Sequence, residues 1–315
     1  MAAHAEAANI AEIVNFLEDR KNKTPKVALI LGSRTGALFR SEYLYEELQF
    51  YSTRAFTDMT QWERFSECYN VLQKSDEQMS KGELVKILKH ALSNIDFSKA
   101  DTSLAELIKL NIFKIIISAN SDDLLYDALV SVSMKEGRDF IDHSLSSHLI
   151  QDELIEEVAH SNKPDACKIV RISDEPKKLI YNLNQPAVQE ANGRFVTRLL
   201  ERLRIKEVVA IGLDPLWDSA LISMLPAKSK TVWFVNEDPT VMWQFLLKNQ
   251  VEQCRHIIGE NGSYEQFLIA LYWSINKGIP KHDELLLDIL NQMNSMQRQL
   301  MEVKSIVERL EKEKQ

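Results

Sequence analysis

From Lys206 to Ile275 the chain alternates short apolar runs with amphipathic stretches, and few folds accept that pattern. "KEVVAIG" is followed by "PLWDSALISML", "KTVWFVN" by "PTVMWQFLLKN", and "CRHIIG" by "YEQFLIALYWSI". The apolar runs are continuous, as in strands buried on both faces. The stretches between them repeat apolar residues at three- and four-residue steps, the helical period. Strand-helix alternation of this kind requires crossover connections. Crossovers build a parallel sheet with helices on both sides.

The same grammar governs the first half. "AANIAEIVNFLEDR" places Ile10, Ile13, Val14 and Leu17 at helical spacing, so an amphipathic helix opens the chain, and "NKTP" ends it. "KVALILG", "FKIIIS" and "CKIVRIS" read as strands. "SSHLIQDELIEEVA" and "EANGRFVTRLLERL" read as helices, as does the segment from Asp122 to Val132. From about Ala37 to Leu110 the pattern is mostly helical, as in "KGELVKILKHAL" and "SLAELIKL". The expected fold is α/β and doubly wound, with a Rossmann-like parallel sheet. It occupies residues 1–280, and the helical insertion falls over about 37–110. No internal repeat or low-complexity linker interrupts it.

Residues 281–315 carry the most regular pattern. Leu286, Ile289, Met293, Met296, Leu300, Val303, Val307 and Leu310 alternate at steps of three and four. That is a heptad with apolar a and d positions, the mark of a C-terminal coiled-coil helix. At about 1.5 Å per residue such a helix runs roughly 40 Å. Leu285, Leu290 and Ile306 widen the stripe. The expectation is a homo-oligomer, or a partner protein, engaged through residues 283–312. A helix packed on its own domain is the alternative.

Charge and cysteine usage narrow the class of protein. The net charge of −8 argues against direct nucleic-acid binding, which favours a basic excess. Cys68, Cys167 and Cys254 stand far apart and form no C-x-x-C pair, so a structural metal site is not expected. They read as free thiols of a reducing compartment. The first residues lack the basic start and apolar core of a secretory signal. No apolar run approaches the roughly 20 residues of a membrane span. A cytoplasmic protein without membrane attachment is the expectation.

A doubly wound sheet binds ligands beyond the carboxyl ends of its strands. Four such ends carry small or polar groups here: Gly32-Ser33-Arg34-Thr35-Gly36, then Asn120-Ser121-Asp122-Asp123, then Gly212 with Asp214 and Asp218, and finally Asn236-Glu237-Asp238. Glycine after a strand lets backbone N–H groups approach phosphate, and a later carboxylate can hold a ribose hydroxyl. Each motif also has a plain structural reading. Ser121, Asp122 and Asp123 suit a helix cap. Asp214-Pro215 suits a helix start, as does the stretch from Asn236 to Pro239.

Taken in order, these segments resemble the sirtuin-like NAD-binding domains, many of which occur in prokaryotic antiviral defence systems. "IIISANSDDLLYDAL" resembles the family's Thr-Thr-Asn-Tyr-Asp segment with its following helix. "ALILGSRTG" is similar to the Leu-Gly-Ala-Gly-Ala-Ser loop. "VVAIGLDPLWDSALISML" is similar to the Val-Gly-Tyr-Ser-x-x-Asp segment, and "VWFVNED" to the Ile-Asn strand end. The resemblance covers about residues 25–275 and rests on short motifs. It implies NAD or an ADP-ribose-type nucleotide as ligand. Asn120 would face the nicotinamide ribose and Asp122 would line the nicotinamide pocket. Gly32 and Ser33 would meet the phosphates, while Gly212 and Asn236 would lie near the adenosine half.

Three departures bear on activity. Arg34 replaces the loop's second glycine, where it would crowd a pyrophosphate or pair with it. Asp214 replaces a serine, and Asp218 stands one residue late. "KIVRISDEP" stands where the family has Leu-His-Gly, so Arg171 takes the position of the catalytic histidine. Arginine stays protonated and is a poor base. His160 is the alternative base, with His143 and His148 behind it as surface or cap residues. The zinc-binding cysteine module of protein deacylases is absent, which argues against lysine deacylation. Two readings result. One is a degenerate, catalytically weak or inactive scaffold or regulatory subunit that still binds a nucleotide, in a defence-type complex. The other is an active NAD glycohydrolase assembled through its C-terminal helix.

Overall fold

The computed structural model describes residues 5–21, 27–74, 79–145, 151–172, 186–225, 231–248 and 253–276. The heptad segment 281–315 and His148 lie outside the described residues. The strands are β1 (Ala5–Ala7), β2 (Ala28–Leu31), β3 (Ile115–Ser118), β4 (Phe140–Ser144), β5 (Cys167–Arg171), β6 (Glu207–Ile211), β7 (Thr231–Val235) and β8 (Gln253–Ile257). They form one sheet in the order β1-β8-β7-β6-β2-β3-β5-β4, and every described pairing is parallel.

The apolar runs explain the strands. In β2, Leu29 and Leu31 face one core, while Ala28 and Ile30 face the other. In β7, Trp233 and Val235 split from Val232 and Phe234 in the same way. A two-residue period with apolar side chains at both phases leaves no face for water. The first core is covered by α1 (Ile10–Arg20), α6 (Lys99–Lys109), α7 (Leu124–Ser131) and α12 (Tyr264–Asn276). The second is covered by α8 (Gln151–Ala159), α9 (Pro186–Arg202), α10 (Ser219–Met224) and α11 (Thr240–Lys248). The sheet is therefore wound on both faces, as the sequence pattern implied.

The insertion contributes α2 (Ala37–Arg40), α3 (Glu42–Leu48), α4 (Gln61–Lys74) and α5 (Lys81–Ser93) around a small core of their own. Two side chains from the loop after β6, Leu216 and Trp217, pack against that core. The indole of Trp217 stacks on Phe65 at 4.7 Å and donates Nε1–H to the Phe65 carbonyl at 2.9 Å. The insertion is thus clamped over the carboxyl edge of the sheet.

Two edge strands depart from the sequence reading. Ala5–Ala7 pairs with β8 instead of starting the first helix, which begins at Ile10 after the Asn9 cap. Phe140–Ser144 is a strand at the other edge, with partly exposed polar positions that break the apolar run. All three cysteines are buried and unpaired. No helix among the described residues is long and apolar enough to cross a membrane.

Candidate functional site

Register brings the polar strand ends onto one row. Leu31 lies beside Ser118 on one side and Ile211 on the other, while Ser118 pairs with Arg171 and Ile211 with Val235. Beyond this row stand Gly32, Asn120, Arg171, Gly212 and Asn236. Between β2 and β6 the chain's connections depart in opposite directions, the place where a doubly wound sheet opens a crevice.

That crevice is closed by the backbone. Gly32 donates to the Ile211 carbonyl at 2.8 Å, and Arg34 donates to the Gly212 carbonyl at 2.9 Å. A Cβ on Gly32 would come within 2.4 Å of the Gly212 oxygen. Gly212 adopts φ +63°, and a Cβ there would lie 2.6 Å from the Thr35 methyl. Both glycines let two loops of the protein meet in direct contact, with Gly212 also on the wall of the larger cavity beside them.

Arg34 is buried and turns into the wall. Its Nε donates to Asp214 at 3.0 Å and its Nη1 to Asp238 at 3.2 Å, with the guanidinium over the Trp62 ring at 5.5 Å. Asp214 is fully enclosed. It also accepts from Ser66 Oγ at 2.8 Å, and from the N–H groups of Leu216 at 2.8 Å and Trp217 at 3.1 Å. Asp238 accepts from the Thr240 N–H at 2.8 Å and so caps α11. Asn236 donates Nδ2–H to the Leu213 carbonyl at 2.7 Å.

Asp218 completes this side. One of its oxygens accepts three donors: the Ser33 N–H at 2.9 Å, the Ser33 hydroxyl at 2.8 Å and the Asp214 N–H at 2.8 Å. Burial pushes its carboxyl up to about 7, against the pull of those donors.

On the β3 side, Asn120 donates Nδ2–H to Thr35 Oγ1 at 2.7 Å, and that hydroxyl donates to the Gly32 carbonyl at 2.9 Å. Asp122 bridges two helix starts, accepting the Ala37 N–H at 2.7 Å and the Leu124 N–H at 3.2 Å. Burial holds its pKa above the ordinary carboxylate value. The capping reading of this knot therefore describes what Asp122 does. Asp123 makes no side-chain cap and instead accepts from Arg171 at 2.7 Å.

Two cavities flank this framework. The larger, about 320 Å³, opens between the insertion and the strand ends, lined by Arg34, Arg40, Gln61, Asn236, Glu237 and Tyr264. The smaller, about 20 Å³, lies between Asn120, Asp122, Asp142 and Arg171. That is room for about one water molecule. Between them stands a triad that the sequence did not reveal. Arg40 donates to both oxygens of Asp101, at 2.6 and 2.9 Å, and Asp101 accepts from Tyr264 Oη at 2.7 Å. Burial opposes the charge on Arg40, but Asp101 outweighs it and raises the pKa above its usual value.

The proposed bases fall elsewhere. Arg171 does stand at the end of β5, where it is tied to Asp142 at 2.7 Å and to Asp123. His160 does not join the site. Helix α8 carries the chain back to the opposite edge of the sheet, so His160 lies near the foot of β5. There it is exposed, with Glu156 at 2.9 Å and Arg202 at 3.2 Å. His143 is no surface residue either. It is buried within β4, with Glu157 at 3.2 Å. Among the described residues, no histidine lines either cavity.

A dinucleotide's pyrophosphate needs backbone donors at the turn after β2. From Ser33 to Ala37, every backbone N–H already has a protein acceptor: Asp218, Gly212 O, Gly32 O, Ser33 O and Asp122 in turn. The nearby cations Arg34 and Arg40 are paired with carboxylates as well, although Arg34 keeps one buried Nη2 without a partner at the wall of the larger cavity. The residues present at this turn do not fit a pyrophosphate. No protein-family model matches the sequence, and no curated protein matches it.

Proposed function

We propose that the protein is a catalytically inactive, sirtuin-like α/β module that works as a scaffold or regulatory subunit, assembled through its C-terminal heptad segment. The observation that carries this reading is the arrangement around Arg171. The residue at the position of the base is a guanidinium held by Asp123 and Asp142, beside a cavity of about 20 Å³. A guanidinium accepts no proton at neutral pH. A cavity for one water holds no nicotinamide ring. Burial raises Asp142 above its ordinary range while the Arg171 charge opposes it, so this pair is built for mutual neutralisation. The heptad pattern supplies the assembly element.

The reading includes no bound dinucleotide, because the donors after β2 are internally satisfied. NAD turnover tests it. Free nicotinamide from NAD incubated with the full chain stays at the level of a protein-free blank. Steady release that is lost in Asn120→Ala contradicts the reading.

A further inference from the structure

We propose that Asp218 is an internal replacement for an anionic ligand, seated in the turn where the fold would otherwise hold a phosphoryl oxygen. Three donors from two separate strand-end loops converge on one oxygen of this carboxylate, at 2.8 to 2.9 Å. Two come from Ser33 after β2 and one from the Asp214 backbone after β6. Convergent N–H and O–H groups from neighbouring loops form an anion-binding concavity. A carboxyl oxygen accepts such donors in either protonation state, because the protonated acid keeps acceptor capacity. Asp218 is 3 % exposed and arrives from the turn before α10, where its own N–H is bonded to the Asp214 carbonyl at 3.0 Å. The carboxylate is thus delivered by a fixed segment and is not a mobile side chain.

Asp122 does the same for the last donor of the turn, the Ala37 N–H, at 2.7 Å. The two aspartates come from different strand ends and close the turn from both sides. Ser33, which supplies two of the three donors, is only partly buried. The inference rests on reading the β2 turn as a former phosphate loop, but its test reads anion binding by a variant and not NAD turnover.

The test is chemical rescue. Asp218→Ala in the full chain leaves three donors without an acceptor. Thermal unfolding is followed while formate or inorganic phosphate is titrated, with chloride at matched ionic strength as control. The expected result is a saturable rise in the Tm of Asp218→Ala with formate or phosphate, roughly 5 °C at saturation. Wild type and Asp218→Asn, whose seat is filled, show no such rise. If Asp218→Ala does not fold in chloride, it is refolded from denaturant in formate or in phosphate, and recovery in either supports the inference. A Tm insensitive to both anions overturns it, as does failure to refold in both while Asp218→Asn folds.

Discussion

Ser33 gives both its backbone N–H and its hydroxyl to the same oxygen of Asp218, at 2.9 and 2.8 Å, across 185 positions of sequence. This pair of hydrogen bonds ties the turn after β2 to the loop after β6. It sits where a doubly wound sheet usually leaves its crevice open. The neighbouring contacts repeat the theme, with polar groups of the carboxyl edge turned toward one another.

Because Asp218 is held near 7 by burial, its ionisation is linked to folding. Its folded pKa lies above the unfolded value of about 3.9, so the folded state binds the proton more tightly. The stability this contributes is complete below about pH 3.9 and is lost as pH rises through about 7. Urea midpoints at pH 5 and pH 8 should therefore fall more for wild type than for Asp218→Asn. Parallel pH profiles for the two proteins would exclude the linkage.

Arg34 is the counter-charge for two buried carboxylates. Arg34→Ala strands Asp214 and Asp238 and should destabilise by about 3–5 kcal/mol, read from urea unfolding. Arg34→Lys should recover little, since an ammonium cannot present the fork that reaches both aspartates. A loss below about 1 kcal/mol for Arg34→Ala would show that water replaces the ion pair.

Trp217 holds the insertion over the sheet through its stack on Phe65 and its hydrogen bond to the Phe65 carbonyl. Trp217→Ala should cost about 3–5 kcal/mol and hasten proteolytic cleavage within residues 37–110. Trp217→Phe keeps the ring contact and should lose about 1 kcal/mol. Equal losses in the two variants would locate the energy in the hydrogen bond.

Arg171→His places an imidazole at the end of β5 but leaves the adjoining space at about 20 Å³. It should release no nicotinamide from NAD. Turnover gained by this one change would show that the pocket opens on its own and that only the base was missing.

The heptad segment carries the assembly claim. Removal of residues 283–315 should lower the mass measured by light scattering to that of a single chain. An unchanged mass would place the contact elsewhere.

Much of this fold can be read from the chain, because strands buried on both faces leave uninterrupted apolar runs. β2 and β3 are four-residue strands buried throughout, and β7 is buried along its length. The edge strands are not legible for the opposite reason. Ala5–Ala7 is short and mostly exposed, and Phe140–Ser144 mixes buried and half-buried positions. The motif positions at the strand ends are legible too, since turns there are rich in glycine and aspartate. What each aspartate does is not legible. That Asp122 caps two helices while it lines the smaller cavity depends on the Ala37 N–H, 85 positions away. The Arg40–Asp101–Tyr264 triad joins three segments with no shared motif, so no local signal announces it. His160 has a plausible separation from Asn120 in sequence, but a helix running back across the sheet carries it to the wrong edge.

Calorimetric titration of NAD, and separately of ADP-ribose, into the full-length wild-type chain asks most directly whether the carboxyl edge is internally satisfied. With the backbone donors from Ser33 to Ala37 already bonded within the protein, both titrations should give only heats of dilution. A saturable heat with either compound, abolished by a change at Gly212 or Asn236, would contradict the account.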